Sequence, residues 1–216
     1  MIRPLALGVL ASGRGSNLGA ILEAVESRRL SAEVKVVLSD VEGAAALDIA
    51  RAAGIVALHL PTGKFRTRLS DEAEREWVEV LRRHDVRVVA LAGFMRMLHG
   101  TFLSGFPQGI VNIHPSLLPS FPGLHAQRQA LEHGVKVAGC TVHFVTEGMD
   151  QGPIIGQRAV PVEESDTEET LSARILEQEH RLYPDALQLL AMGRLRIEGR
   201  RVRILNGRGP VGEGRA

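Results

Sequence analysis

The chain of 216 residues has little of several features that mark whole classes of protein. Its only cysteine, Cys140, excludes an internal disulfide framework and argues against a cysteine metal site. Lys and Arg number 26 against 25 for Asp and Glu, and this near-neutral balance argues against a general nucleic-acid or membrane surface. No apolar stretch approaches the length of a membrane span, and no signal-peptide cleavage pattern follows the first apolar run. We therefore expect a soluble, cytoplasmic protein with no membrane and no nucleic-acid partner.

Apolar runs alternate with amphipathic segments along the first half of the chain. The runs predict strands, and the segments between them predict helices because their apolar residues recur on one face. This alternation predicts a parallel sheet with right-handed crossovers. The predicted strands are residues 5–11, 34–39, 55–60 and 86–91, and the predicted helices are residues 18–28, 44–53 and 67–83.

Three further strands are predicted in the second half, at residues 109–114, 137–145 and 153–162. A short turn with flanking glycines joins the last two, so we expect them to be antiparallel. The predicted fold class is α/β, a Rossmann-like open, mostly parallel seven-stranded sheet with helices on both faces. A single domain is expected over residues 1–205, ending in a hairpin of residues 195–197 and 202–204, and residues 206–216 are expected to form a mobile tail.

Residues 12–17 join the first predicted strand to the first helix and are rich in glycine and small polar residues. Glycine permits a tight turn, and the start of a helix offers unpaired N–H groups to an anion. The loop is neither G-x-G-x-x-G nor a Walker loop, so a mononucleotide or sugar phosphate fits it better than a dinucleotide. The alternative is a structural turn with Ser16 or Asn17 as the helix cap.

Asn112 and His114 lie at the end of the fifth predicted strand. Side chains two residues apart point to the same side of a strand, and Pro115 ends the strand because it lacks an N–H. A histidine exchanges protons near neutral pH and an asparagine can donate to an oxyanion, so the pair suits attack of an amine on a carbonyl. Asp150 is the best candidate for an orienting carboxylate, and His143 could face the same site. The structural alternatives are a satisfied core pair and a local turn aspartate.

Two further features indicate ligand contacts. Glu179 lies on the apolar face of the last predicted helix, where a carboxylate needs a partner. That partner is either an arginine such as Arg174 or Arg128, or an amine or hydroxyl of a ligand. Apolar residues also follow the fourth predicted strand, at Met95, Met97 and Leu98. They indicate either a slot for a flat ring or the core of an irregular turn.

Five motifs occur in the same order as in a known family. They are SGRGSNL at residues 12–18, AGFMR at 92–96, NIHPSLLP at 112–119, PGLH at 122–125 and MDQGP at 149–153. With them the chain closely resembles the folate-dependent phosphoribosylglycinamide formyltransferase family of purine biosynthesis, from about residue 5 to about residue 195. The resemblance implies the formyltransferase fold. It also implies transfer of a formyl group from 10-formyltetrahydrofolate to the amine of glycinamide ribonucleotide.

The same resemblance implies roles for individual residues. It implies a catalytic trio of Asn112, His114 and Asp150. It also implies a ribonucleotide contact at Glu179 and a substrate-phosphate site formed by Gly15, Ser16 and Asn17. The residues that it implies for the folate are Arg68, Met95, Arg96, Met97, Leu98, Asn112, Thr146, Glu147, Gly148 and Met149. The implied co-substrate is 10-formyltetrahydrofolate, with no metal.

Other functions stay open at this point. A formyltetrahydrofolate hydrolase or a methionyl-tRNA formyltransferase would share the same core, but each is expected to carry an additional domain for which 216 residues leave no room. A non-catalytic nucleotide-binding module would use only residues 12–17. The arginines near the C-terminal end fit a solvated hairpin, and the protein is expected to be a monomer or a homodimer.

Overall fold

One sheet organises the chain, whose structure, a computed structural model, describes residues 3–107 and 109–207. The described strands are β1 (Leu5–Leu10), β2 (Ala32–Ser39), β3 (Val56–His59), β4 (Val88–Leu91), β5 (Ile110–His114), β6 (Val137–Phe144), β7 (Ile154–Pro161), β8 (Leu195–Glu198) and β9 (Arg201–Ile204). The described helices are α1 (Ser16–Glu26), α2 (Ala45–Ala52), α3 (Asp71–Arg83), α4 (Gly100–Gly105), α5 (Ala126–Glu132) and α6 (Glu168–Ala191). Hydrogen bonds join the nine strands in the order β3-β2-β1-β4-β5-β6-β7-β9-β8.

β1 lies inside the parallel half of the sheet. All six of its residues are buried, and it pairs in parallel with β2 on one side and β4 on the other. The pairs β2–β3 and β4–β5 are also parallel. A continuous apolar run is typical of a strand buried on both faces, which is why this half forms as predicted. Because the strand order reverses between β1 and β4, a crevice opens at their carboxyl ends.

The second half of the sheet departs from the prediction in one detail. β6 pairs antiparallel with both β5 and β7, and β8 pairs antiparallel with β9. The prediction of seven strands counts the terminal hairpin apart from the sheet. It is wrong because β9 joins β7 through a parallel pairing of Ile154 with Arg201. The remaining prediction, an open and mostly parallel sheet with helices on both faces, is confirmed.

Two hydrophobic clusters cover the two faces of the sheet. On one face α1, α2 and α6 contribute Leu18, Leu47 and Tyr183. On the other face α3 and α4 contribute Trp77 and Phe102. Leu7 and Val9 of β1 belong to the first cluster and Leu10 belongs to the second, as the alternation of side chains along a strand requires. The sheet is therefore shared by both parts of the core.

Helix α3 begins later than the sequence predicts. The prediction starts at residue 67, whereas α3 begins at Asp71 because the Ser70 hydroxyl accepts a hydrogen bond from the N–H of Ala73 and caps the helix. Residues 208–216 of the predicted tail lie outside the described residues. Within the described ranges, none of the helices has the length and apolar character needed to cross a membrane.

Candidate active site

A cavity of about 700 Å³ opens at the carboxyl ends of β1, β4 and β5. It adjoins the point where the strand order reverses, which is where open α/β sheets bind ligands. Gly15 before α1 and Glu179 on α6 line this cavity, together with Met95 after β4 and Ile113 of β5. The predicted phosphate loop, the buried carboxylate and the end of β5 thus meet at one space, although Asn112, His114 and Asp150 are not themselves among its lining residues.

The N-terminus of α1 forms one end of the cavity. Gly15 is the cap residue, with a left-handed φ of 77° that favours glycine, and no side chain among the described residues caps the helix. Ser16 and Asn17 lie within the first turn, so the alternative in which either caps the helix is wrong. The first N–H groups of α1 are left for a ligand, and the helix dipole favours an anion there.

Glu179 lies beside this loop on the buried face of α6, and it is 7% exposed. Its Oε2 accepts a hydrogen bond of 2.8 Å from Asn17 Nδ2. Burial raises the pKa of Glu179, while the Asn17 hydrogen bond and the charge of Arg14 oppose that rise. The Oδ1 atom of Asn17 is also buried and has no hydrogen-bond partner within the described part of the chain. Both side chains can therefore still bond to a ligand.

The arginines that the sequence offers as partners of Glu179 are engaged elsewhere. Arg174 pairs with Asp166 at 2.7 Å, and Arg128 pairs with Glu168 at 2.9 Å. Neither ion pair involves Glu179. Of the two sequence-derived alternatives, a ligand hydroxyl or amine is the one that this arrangement favours.

Asn112, His114 and Asp150 converge at the end of β5. His114 Nε2 donates to the carbonyl oxygen of Phe121 at 3.0 Å. The other ring nitrogen, Nδ1, lies 3.5 Å from Asp150 Oδ2. Asp150 Oδ2 also accepts a hydrogen bond of 2.8 Å from the N–H of Gly123. The Asp150 carboxylate thus contacts Gly123 and His114, which are distant in sequence, so its position is not explained by the local turn alone.

His143 lies between Asn112 and Asp150. β5 and β6 place Asn112 directly opposite His143, where cross-strand side chains meet. His143 Nδ1 donates to the Phe144 carbonyl at 2.9 Å, which leaves Nε2 to accept from Asn112 Nδ2 at 3.2 Å. That Nε2 is also 3.7 Å from Asp150 Oδ1. One N–H of the Asn112 amide is thereby held, and the second stays free for a substrate.

Burial is the largest influence on the pKa of both His114 and Asp150. It lowers the pKa of His114 below the ordinary 6.5, although the charge of Asp150 and the Phe121 carbonyl raise it in part. For Asp150, burial raises the pKa, but the nearby His143 ring and the hydrogen bond from the Gly123 N–H together outweigh it and bring the pKa below 3.8. At neutral pH the site therefore holds a neutral imidazole, able to accept a proton, beside an ionised carboxylate.

Two residues, Asp150 and Gly152, restrict the backbone conformation of the turn that carries the carboxylate. Asp150 itself has a left-handed φ of 53°. A Cβ at Gly152 would overlap the carbonyl oxygen of Phe144, so glycine is required there. The predicted folate residues Thr146 and Glu147 are exposed earlier in the same turn. The turn therefore presents the carboxylate at a fixed place while leaving its outer residues accessible.

The segment after β4 has an exposed and a buried part. Met95 is 60% exposed, whereas Leu98 is 3% exposed and belongs to the cluster around Trp77. The core alternative therefore fits Leu98, and the ligand-slot alternative fits Met95. The Arg96 guanidinium donates to Asp40 at 2.7 Å, so this predicted folate residue is held by the protein itself. The folate contacts of this segment stay predictions.

Arg68 lies beside the same segment. Its backbone forms an isolated parallel bridge with Met97, and the Met97 N–H donates to the Thr67 carbonyl at 2.9 Å. The guanidinium carbon of Arg68 lies 3.8 Å from the centre of the Phe65 ring. This places the predicted folate arginine next to the predicted folate methionine, although the two are far apart in sequence.

Asp40 is a residue of this region that the sequence patterns do not single out. It follows β2 directly, and a polar residue at the carboxyl end of a buried strand is the same signal that identifies Asn112 and His114. No sequence pattern could have identified the Phe121 carbonyl or the Gly123 N–H, because nearly every residue has both of these backbone groups.

The described residues contain no group of three or more His, Cys, Asp or Glu arranged to hold a metal ion.

Comparison with known proteins identifies the class of protein. The sequence matches the family model described as formyl transferase over residues 6–187. The chain therefore belongs to the formyl transferase family, and the resemblance drawn from its motifs is confirmed.

Named relatives narrow the comparison. The phosphoribosylglycinamide formyltransferase of Escherichia coli (strain K12) is 43% identical over 189 residues, which cover 88% of each chain. The glycinamide ribonucleotide transformylase 1 structure from Symbiobacterium toebii has a TM-score of 0.91 and 55% identity, and the match covers 95% of this chain and 96% of that one. The human trifunctional purine biosynthetic protein adenosine-3 is 44% identical over 191 residues, and the match spans only 19% of its length.

One structural relative carries a different name. A formyltetrahydrofolate deformylase from Pseudomonas syringae pv. tomato has a TM-score of 0.86 and 26% identity, and the match covers 94% of this chain but 66% of that one. The same fold thus occurs in proteins named for transfer and for removal of a formyl group.

Proposed function

We propose that this chain transfers the formyl group of 10-formyltetrahydrofolate to the amine of glycinamide ribonucleotide, a step of purine biosynthesis. The observation that carries the proposal is the shared cavity. An uncapped helix N-terminus suited to phosphate and the buried Glu179 lie on one side of it, and Met95 and the end of β5 lie on the other. The 43% identity to the Escherichia coli phosphoribosylglycinamide formyltransferase supports it.

The first chemical step is attack of the amine nitrogen on the formyl carbon. A C–N bond forms, and the carbonyl oxygen becomes a tetrahedral oxyanion. The free N–H of Asn112 donates to this oxyanion, because His143 already holds the other side of the amide. A donor placed in this way typically lowers the barrier by about 3 kcal/mol.

Proton movement completes the transfer. The attacking amine loses a proton to neutral His114 at Nδ1, the ring nitrogen that the Phe121 carbonyl leaves free. The resulting imidazolium is stabilised by the Asp150 carboxylate on one side and the Phe121 carbonyl on the other. The bond between the formyl carbon and N10 of the folate then breaks, and N10 takes the proton from His114. Tetrahydrofolate and formylglycinamide ribonucleotide are released.

A cytoplasmic location is part of the proposal. Cys140 is fully buried in β6, and burial raises the pKa of its thiol to about 12. A buried thiol of this kind is unreactive, which fits a protein that has no disulfide in a reducing compartment.

The decisive experiment measures tetrahydrofolate release with and without the amine. Purified protein, 10-formyltetrahydrofolate and glycinamide ribonucleotide should release tetrahydrofolate together with formylated ribonucleotide. Without the ribonucleotide, release should be at least about 100-fold slower, because water lacks the binding contacts that place the amine. Equal rates with and without the amine would contradict the proposal and favour the deformylase activity named for the Pseudomonas relative.

A further inference from the structure

Three side chains from three loops form a closed hydrogen-bonded ring at the carboxyl edge of the sheet. The Ser12 hydroxyl donates to Asp40 Oδ1 at 2.6 Å, and Arg96 Nε donates to Asp40 Oδ2 at 2.7 Å. The N–H of Met95, the residue before Arg96, donates to Ser12 Oγ at 3.0 Å and closes the ring. We call these four residues the Asp40 ring. Each oxygen of the central carboxylate bonds to a different loop.

The Asp40 ring joins two loops that, under the proposed function, bind different substrates. Ser12 begins the loop that leads to Gly15 and the N-terminus of α1, where the phosphate is expected. Met95 and Arg96 belong to the segment expected to contact the folate. Asp40 comes from a third loop and is not among the residues that line the cavity. It therefore contacts both substrate loops without lining the cavity itself.

The ion pair of Asp40 and Arg96 within the ring is largely withdrawn from solvent and balanced in charge. The Asp40 side chain is 5% exposed and the Arg96 side chain is 17% exposed. Arg96 also donates to the carbonyl oxygens of Phe65 and Arg66, at 2.8 and 3.0 Å, which adds the loop before α3 to the assembly. Removing one partner of a buried ion pair leaves the other charge uncompensated, so the arrangement depends on the carboxylate.

We infer that Asp40 is a positioning residue that holds the ribonucleotide loop and the folate segment in register before either substrate binds. It acts through Ser12 and Arg96 rather than by touching a substrate. The inference rests on the proposed function, which decides which substrate meets each loop.

This kind of preorganisation has a distinctive signature in binding. With the Asp40 ring intact, neither substrate has to order the loop that the other one uses. Without the carboxylate, the first substrate to bind must rebuild the shared junction, and the second then meets a junction already formed. Loss of Asp40 should therefore weaken each substrate alone and create positive cooperativity between them. A direct substrate contact, or a general loss of stability, would weaken binding without creating cooperativity.

The test uses tetrahydrofolate with glycinamide ribonucleotide, a pair that cannot react because no formyl group is present. Isothermal titration calorimetry gives the Kd of tetrahydrofolate alone and at saturating ribonucleotide, for the wild type and for Asp40→Asn. We expect tetrahydrofolate alone to bind Asp40→Asn about tenfold more weakly than the wild type, and saturating ribonucleotide to recover most of that loss. The ratio of the two Kd values should thus be several-fold larger in the variant than in the wild type.

Two further variants make the outcome decisive. Asp185→Asn is the matched control, because Asp185 also pairs with an arginine, Arg158, at 3.0 Å, but on the surface. It should leave both Kd values at those of the wild type. Ser12→Ala keeps the ion pair but removes a different link of the ring, so it should also raise the ratio, even if Asp40→Asn fails to fold. Ratios equal to the wild type in both ring variants would overturn the inference, whereas a wild type that binds neither ligand would overturn the proposed function.

Discussion

At the scale of single residues, backbone carbonyls decide which histidine nitrogens are available for chemistry. His114 Nε2 donates to the carbonyl of Phe121, and His143 Nδ1 donates to that of Phe144. Because a carbonyl oxygen only accepts, each contacting nitrogen must carry the proton. His114 therefore presents a bare Nδ1 to receive a proton, and His143 presents a bare Nε2 to hold the Asn112 amide. The fold thus gives the two histidines different roles.

Asp150→Asn should remove most turnover while leaving ribonucleotide binding nearly intact. Asparagine has the same shape and tolerates the left-handed φ of 53°, so the turn should persist. The imidazolium would lose its carboxylate, and kcat should fall about 100-fold or more. Because the charge of Asp150 raises the pKa of His114, that pKa should fall further below 6.5 in the variant. Steady-state kinetics, calorimetry with glycinamide ribonucleotide and a histidine NMR titration would measure the three effects.

The NMR titration also supplies its own control. Burial lowers the pKa of His180 on α6, and Asp150 is not among the groups that influence it, so His180 should titrate identically in both proteins. A His114 pKa that rises in Asp150→Asn would contradict the assigned electrostatics. A Kd for the ribonucleotide that rises by as much as kcat falls would place Asp150 in binding instead of catalysis.

At the scale of elements, the site is built from the ends of helices and strands, and the packing of one helix on another positions them. The N-terminus of α1 lies against α2, where a Cβ at Gly15 would be 2.8 Å from the Cα of Ala46. The N–H of Ala46 also donates to the Gly13 carbonyl at 3.1 Å. Helix α2 therefore fixes the proposed phosphate loop, and only glycine allows the close approach.

Gly15→Ala should raise KM for the ribonucleotide and lower thermal stability. The new Cβ would meet the backbone of α2, and alanine at a φ of 77° is strained by roughly 1–2 kcal/mol. For a chain of this size, such strain lowers Tm by about 5 °C. Thermal unfolding and steady-state kinetics would measure both effects.

Gly19→Ala is the matched control, since it changes another glycine of the same helix. Among the described residues, no atom other than those of its chain neighbours and the backbone of its own helix lies within 4 Å of its new Cβ, and alanine favours a helix by up to about 1 kcal/mol over glycine. It should leave KM unchanged and keep or raise Tm. Similar losses in Gly15→Ala and Gly19→Ala would show that the approach to α2 is not what matters.

At the scale of the whole molecule, the sequence predicts those features of the fold that depend on hydrophobic periodicity and on the order of strands and helices along the chain. The strand and helix rhythm identifies the parallel half of the sheet, and the strand end at Asn112 and His114 identifies the edge of the sheet where the candidate active site lies. The sequence does not predict that the terminal hairpin joins the sheet, because the residue pattern of a hairpin is the same whether or not it pairs with another strand. A single pairing, of Ile154 with Arg201, makes it part of the sheet. The partner of Glu179 could not be predicted, because it lies 162 residues away in sequence. Contacts of that kind depend on the assembled fold.

The single domain expected over residues 1–205 predicts that both faces of the sheet unfold together. Trp77, the only tryptophan, is fully buried in the cluster on one face, whereas Tyr183 is buried in the cluster on the other. Since β1 contributes to both clusters, neither can be lost while the other persists. Urea unfolding followed by Trp77 fluorescence and by far-UV circular dichroism should therefore give the same midpoint, with an m-value of about 2–3 kcal/mol/M. Two separate midpoints, or an m-value about half that size, would mean that the chain unfolds in parts.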